Sequence, residues 1–145
     1  MKLFVFLFII TVATAATPVH LSVPSPDGEL ILSVGSESGT AFYKLESAAG
    51  IELIEPSLLG IAGQDLDLAN RLQFDSVTEM TAGREQYTLT TGKQRVIDDA
   101  CNQSAVHFVN ADGCKLSIEV RVFNNGAAFR YRIHQTPAAE HCRII

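Results

Sequence analysis

The chain has 145 residues, of which 47% are hydrophobic, and its 16 acidic and 11 basic side chains give a formal net charge of −5. An acidic balance without a run of Lys or Arg argues against a nucleic-acid partner. The length suffices for one domain with one hydrophobic core. The sequence contains no internal repeat and no low-complexity tract.

The first sixteen residues have the pattern of a secretory signal peptide. A basic start at Lys2 precedes an apolar run, Leu3–Val12, and the small residues Ala13–Ala16 that signal peptidase requires. The run is shorter than the roughly 20 residues that span a bilayer, so we expect no transmembrane segment in the mature chain. We predict a signal peptide at residues 1–16, a domain at residues 17–145, and export to the periplasm or the exterior.

Short runs of alternating apolar and polar residues, separated by turn residues about every ten positions, predict an all-β fold, an antiparallel β-sandwich. The predicted strands of the first half are Val19–Val23, Glu29–Gly35, Ala41–Glu46, Ile51–Ile54 and a more buried Leu58–Ile61, with turns at Ser25–Gly28, Ser36–Gly39 and Ser47–Gly50.

The second half continues this pattern with two irregular stretches. Gln64–Leu72 fits a short helical turn as well as a loop, and the polar stretch Arg95–Ser104 predicts a long connection. The predicted strands are Phe74–Thr81, Glu85–Thr91, and Val106–Val109 paired with Lys115–Ile118 around an Asp112–Gly113 loop. No segment resembles a βαβ unit, so we expect no part of a (β/α)₈ barrel.

The stretch Glu119–Ile133 predicts a β-hairpin closed on Asn125–Gly126, a dipeptide that accepts the positive φ angles of a type I′ turn. With this loop, Val122 faces Phe129 and Val120 faces Tyr131 on one face of the ribbon. That face should contact a core. Replacing Gly126 by Val should then destabilise the fold by roughly 1 kcal/mol or more.

On the opposite face, this register places Arg121 against Arg130 and Glu119 against Arg132. Like charges on a cross-strand pair are unfavourable unless an anion lies between them. The three arginines are therefore candidate contacts for a ligand or for a carboxylate in another part of a longer protein. The alternative is that their aliphatic stems cover the sheet while their charged ends reach water.

The same hairpin carries a family resemblance. Arg121–Ile133 resembles the "R-x-Y-(N/D)-(D/N)-G-(V/A)-A-F-R-Y" signature in the N-terminal domain of glycoside hydrolase family 97. Ser25–Leu30 and Pro56–Ile61 resemble two further pieces of that domain, in the same order. Family members are secreted or periplasmic α-glucoside or α-galactoside hydrolases with a large N-terminal β-sandwich, a catalytic (β/α)₈ barrel and a small C-terminal β domain.

The resemblance implies that this chain is a partial N-terminal domain, truncated before the barrel. The tail Thr136–Ile145 does not read like the continuing domain. The catalytic residues and most calcium ligands of the family would lie in the missing part, so we predict no catalytic residue, no metal site and no cofactor in this chain, which should be inactive alone. Its expected partners are the missing barrel and, through the intact enzyme, carbohydrate. The alternative is a free-standing carbohydrate- or protein-binding sandwich.

The remaining reactive residue types form no convincing site. Cys101, Cys114 and Cys142 make an odd count, and the predicted register does not bring the first two together, so we expect no disulfide framework and a half-buried Cys114. The four histidines lack metal-ligand spacing. Asp65 and Asp67 would share one side of a strand as a carboxylate pair, but a solvated loop is the favoured interpretation.

Overall fold

The computed structural model describes residues 18–63, 66–88, 90 and 96–134, with Ile97 described by its backbone. The predicted signal peptide and Cys142 lie outside these residues. The described residues form nine antiparallel strands in two sheets, which confirms the predicted all-β sandwich. The strands are β1 Val19–Pro24, β2 Leu30–Glu37, β3 Thr40–Ser47, β4 Glu52–Leu59, β5 Gln73–Val77, β6 Thr81–Thr88, β7 Val96–Val109, β8 Lys115–Phe123 and β9 Gly126–His134.

The first sheet is a meander in the order β1-β2-β3-β4. Its β1–β2 turn is the predicted Ser25–Gly28 turn, closed by a 2.9 Å hydrogen bond from the Gly28 N–H to the Ser25 carbonyl. The β2–β3 turn is a two-residue loop, Ser38–Gly39, with φ angles of 50° and 81°. Positive φ at both residues is the geometry of a type I′ turn, which matches the right-handed twist of the strands.

The second sheet is built around β7, which is 14 residues long. β8 and β9 follow on one side, while β5 and β6 lie end to end along the other. The prediction that Arg95–Ser104 forms a long connection was wrong, because β7 already begins at Val96. Its polar residues fit a strand here because the β6–β7 ribbon is exposed on both faces beyond Cys101, where β8 ends.

The core lies between β1 and β2 of one sheet and β7 and β8 of the other. The largest fully buried hydrophobic side chains are Phe108, Leu32, Leu68, Leu116, Ile118, Val23, Val34, Val106, Val120 and Val122. Leu66, Leu68 and Leu72 close one end of this core from an irregular segment, so the helical alternative for this stretch does not hold. Gln64 and Asp65 lie outside the described residues.

The opposite side of the sandwich, between β4 and β9, is less well covered. The predicted strand Leu58–Ile61 is not separate, because Leu58 and Leu59 belong to β4, which ends before Gly60. Leu59 is buried, but Leu58 points away from the core and is 78% exposed. Its neighbour across the strand pair is Phe42, whose ring covers Gly35 on the outer face of the sheet.

Candidate functional site

The β8–β9 hairpin forms, but its turn lies one residue earlier than predicted. Phe123 pairs with Gly126, so Asn124 and Asn125 are the loop residues, and neither Asn125 nor Gly126 has a positive φ. The Asn124 side-chain oxygen accepts a 3.2 Å hydrogen bond from the backbone N–H of Asp27, which links this turn to the β1–β2 turn. This tertiary contact is not visible in the local turn sequence.

The corrected register moves β9 by two residues relative to β8, so every side chain keeps its predicted face. Val120 pairs with Phe129, and Ile118 pairs with Tyr131. Val120 and Val122 are fully buried under the first sheet, which confirms that this face contacts a core, while Phe129 remains 39% exposed.

The register also changes the partners of the candidate arginines. Arg121 lies opposite Ala128 and forms an ion pair with Glu85. Arg130 lies opposite Glu119, and its Nε donates a 2.5 Å hydrogen bond to that carboxylate. Arg132 lies opposite Ser117 and not opposite Glu119 as predicted, but it still contacts the other oxygen of Glu119 at 2.6 Å, so the expected ion pair forms along the diagonal. The prediction that Arg121 lies opposite Arg130 was wrong.

Glu119 is the centre of this charged network. Partial burial alone would raise the pKa of Glu119, but hydrogen bonds and positive charge from Arg130 and Arg132 outweigh that effect and lower it. The carboxylate therefore stays ionised at neutral pH and holds the two arginines in place across the strand pair.

An open cleft of about 510 Å³ lies on the outer face of the second sheet, over the part of β7, β8 and β9 that carries this network. Ala105 and Ala128 are its small floor residues, since both side chains belong to the outer face. The linker between β5 and β6 forms one wall. The other lining residues are Thr78, Glu79, Thr81, Gln103, Glu119, Arg121 and Arg130, with parts of Ser104, Val120 and Phe129.

Beside the cleft, four polar side chains form a hydrogen-bonded chain across the sheet. Thr78 Oγ1 lies 3.0 Å from His107 Nε2, and His107 Nδ1 lies 2.6 Å from the Ser117 hydroxyl. The same hydroxyl lies 2.7 Å from His134 Nε2. Ser117 is almost completely buried, so these bonds satisfy a polar group that would otherwise be costly to bury. We assign the two histidines a structural role.

The other candidate residues occupy structural positions. Asp67 accepts backbone hydrogen bonds from Ala69 and Asn70, which lower its pKa, and it sits in the loop that closes the core. Cys101 and Cys114 lie at opposite ends of the paired part of β7 and β8, and both are buried, whereas we had expected Cys114 to be half-buried. Among the described residues, no three His, Cys, Asp or Glu side chains are placed to hold a metal ion.

The sequence profile of the family Glycosyl-hydrolase 97 N-terminal matches residues 23–144. The chain belongs to this family. A curated relative, a probable retaining alpha-galactosidase from Streptomyces bingchenggensis (strain BCW-1), is 34% identical over 85 residues, which cover 59% of this chain and 13% of that protein.

Solved structures share the fold of this chain. A glycoside hydrolase family 97 enzyme from Pseudoalteromonas sp. strain K8, in complex with acarbose, superposes with a TM-score of 0.70 at 23% identity. A beta-arabinopyranosidase superposes with a TM-score of 0.72 at 25% identity. Each match covers 81% of this chain and 18% of the other. The chain therefore spans less than a fifth of these relatives.

Sequence reasoning identified the arginines of this family 97 domain but missed the cleft. The cleft residues Ala105 and Ala128 have no distinctive pattern in the sequence, and they come to one face only through the three-strand register of β7, β8 and β9. Gln103 lay in a stretch that we had interpreted as a connection. A longer β7 prediction would have placed Gln103, Ala105 and His107 on one face.

Proposed function

We propose that this chain is an exported segment of the N-terminal domain of a family 97 glycoside hydrolase, in which it supports the catalytic barrel and helps to shape the carbohydrate site. The family match and the alternating strands support the domain assignment. The relatives that it resembles are carbohydrate-active proteins, and most of their length lies outside the matched part.

The incompletely covered side of the sandwich is the observation that carries this proposal. Among the described residues, β4 pairs only with β3 and β9 only with β8, so each strand presents one edge without a neighbour. Tyr131 bridges the two sheets here, because its hydroxyl accepts a 3.1 Å hydrogen bond from the Gly60 N–H. Phe129 packs against Tyr43 with ring centroids 5.1 Å apart, yet remains partly exposed.

Exposed strand edges beside apolar side chains are where additional strands pair and pack. We infer that further strands of the domain cover Ile54, Phe129 and Tyr131 in the intact protein. The catalytic groups and the calcium ion that the family resemblance implies would then belong to the remainder of that protein. The described residues offer no fit for calcium, since no three His, Cys, Asp or Glu side chains among them are placed to hold a metal ion.

The genomic sequence beyond codon 145 is the first test of this proposal. A barrel-coding sequence downstream, in any reading frame, would support it. An intergenic region there would contradict it and favour a free-standing binding module. Mass spectrometry of the protein recovered from the periplasm or medium should also show cleavage after Ala15 or Ala16, and an uncleaved chain in the cytoplasm would contradict export.

A second test is enzymatic. The purified mature chain should not hydrolyse an aryl α-glucoside or an aryl α-galactoside, because the catalytic carboxylates that the family resemblance implies would belong to the remainder of the protein. Hydrolysis that disappears when a cleft carboxylate is changed, as in Glu79→Gln, would show that the chemistry resides in this chain after all.

A further inference from the structure

We propose that the cleft on the outer face of the second sheet is a binding site for an uncharged sugar unit. This inference deepens the proposed function and rests on it for the choice of sugars as the ligand class. The cleft itself, with its volume of about 510 Å³, falls within the range of roughly 300–1,000 Å³ that is typical of small-molecule sites.

The charge of the cleft is balanced. Its lining includes two cationic side chains, Arg121 and Arg130, and two anionic ones, Glu79 and Glu119. Glu85 further neutralises the charge of Arg121. Arg132 does the same for Glu119. An anionic ligand would meet two carboxylates and a cationic ligand would meet two guanidinium groups. A neutral ligand avoids both costs.

The same groups retain hydrogen-bonding capacity that suits a polyhydroxyl ligand. The bond to Glu119 uses only Nε of Arg130, so the N–H groups of its terminal nitrogens remain available as donors. Gln103 donates a long 3.4 Å bond to Thr81, which leaves its carbonyl oxygen as an acceptor. Glu79 forms no hydrogen bond or ion pair with another described residue. Each sugar hydroxyl can both donate and accept, so it can pair with either kind of group.

The floor of the cleft is also suited to a sugar ring. Ala128 is exposed and carries only a methyl group, so it leaves room for a ring beside the β8 side chains Glu119 and Arg121, whereas Ala105 is buried and adds little surface. Both residues lie within hydrogen-bonded strands, so the floor is rigid and little ordering entropy is lost on binding. A protein carboxylate, the other occupant considered for the arginines, is less suitable because Glu85 and Glu119 already occupy that role.

Saturation-transfer difference NMR on the full 145-residue chain tests the proposal, because it needs only micromolar protein and detects millimolar binding. Panose and melibiose are the neutral probes, and glucuronic acid is the anionic probe. We expect transfer to at least one neutral sugar with a dissociation constant near 1 mM or below, equivalent to about −4 kcal/mol. Glucuronic acid should bind at least tenfold more weakly.

Two variants test whether the sugar binds in the cleft. Ala128→Leu fills the floor without changing any charge, and it should weaken sugar binding at least tenfold. Ala127→Leu is the matched control, because Ala127 is exposed on the other face of the same strand, and it should change binding less than twofold. Circular dichroism should show the same strand content in both variants and in the unmodified chain.

The outcomes separate this inference from the proposed function. Absence of transfer to either neutral sugar, stronger binding of glucuronic acid, or equal loss in the two Ala variants would each overturn the sugar site. None of these results would affect the assignment of the chain to the N-terminal domain, which the downstream gene sequence tests. A downstream barrel with no sugar binding here would leave the proposed function in place.

Discussion

The two sides of the sandwich differ in how well they are covered. Where β1 and β2 lie over β7 and β8, Val34, Phe108 and Ile118 are at most 1% exposed. Between β4 and β9, Ile54 and Phe129 are 38% and 39% exposed. All five come from similar alternating strands. The difference shows that an apolar strand face is buried only where a second layer lies against it, which alternation alone does not reveal.

The largest expected contrast is between two phenylalanines. Phe108→Ala on the covered side should lower the free energy of unfolding by about 3–5 kcal/mol, because it removes a fully buried ring and leaves a cavity. Phe129→Ala on the less covered side should cost about 1 kcal/mol, since part of that ring already contacts water. Urea denaturation followed by circular dichroism measures both. Equal losses would mean that the two sides are equally well packed in solution.

The same comparison can be made between the β2–β3 turn and the β8–β9 turn, with one glycine substitution at each. Gly39→Val should destabilise the fold by about 1–2 kcal/mol or more, because φ is 81° there and an added Cβ would lie 3.1 Å from the Arg71 Cα. Gly126→Val should cost about 0.5 kcal/mol or less, since its φ is not positive and nothing lies within 4 Å of the added Cβ. A larger loss at Gly126 than at Gly39 would restore the type I′ assignment for the β8–β9 turn.

Association between copies of the chain should also distinguish the two sides of the sandwich. The isolated mature chain should self-associate through the edges of β4 and β9, where apolar side chains accompany edges without a neighbour. The double variant Ile54→Lys and Phe129→Lys should weaken association about tenfold in sedimentation velocity. Met80→Lys, at a somewhat more exposed apolar position in the β5–β6 linker, is the control. A stable monomer with one cooperative unfolding transition would contradict this prediction.

The smallest expected effect is a pH-dependent change in the stability of the exposed β6–β7 ribbon. Hydrogen bonds from Arg84 and then Gln86 lower the pKa of Asp98 from 3.8 to about 2. Because the pKa of Asp98 is lower in the folded chain than in the unfolded chain, the ionised carboxylate stabilises the ribbon at a pH above the unfolded-state pKa. This contribution is lost as the pH falls from about 4 to about 2. Backbone NMR shifts of Arg84 should follow that titration, and Asp98→Asn should abolish it. An Asp98 midpoint near 4 would show that the ion pair does not form.

The sequence by itself determined the class of the fold and most of its strands. Period-two alternation and turn residues are local properties, so the Ser25–Gly28 turn and the strands β1 to β3 could be predicted without knowledge of contacts. The pairing of Glu119 with Arg132 was also predicted, because these residues lie close together on one face of the hairpin in either register. The family motif located the domain for the same reason, as it is a contiguous stretch of chain.

Tertiary structure decided the register of β8–β9, the length of β7 and the position of the cleft. The Asp27–Asn124 hydrogen bond joins residues 97 positions apart, so no local preference could reveal it. Asp98, Asp99 and Asn102 lie within β7 because β6 supplies hydrogen bonds there, which outweighs their weak strand propensity. Arg121 and Glu85 form an ion pair across β7, and Ala105 and Ala128 line the same cleft across β8, only because the sheet brings residues that are distant in sequence to one face.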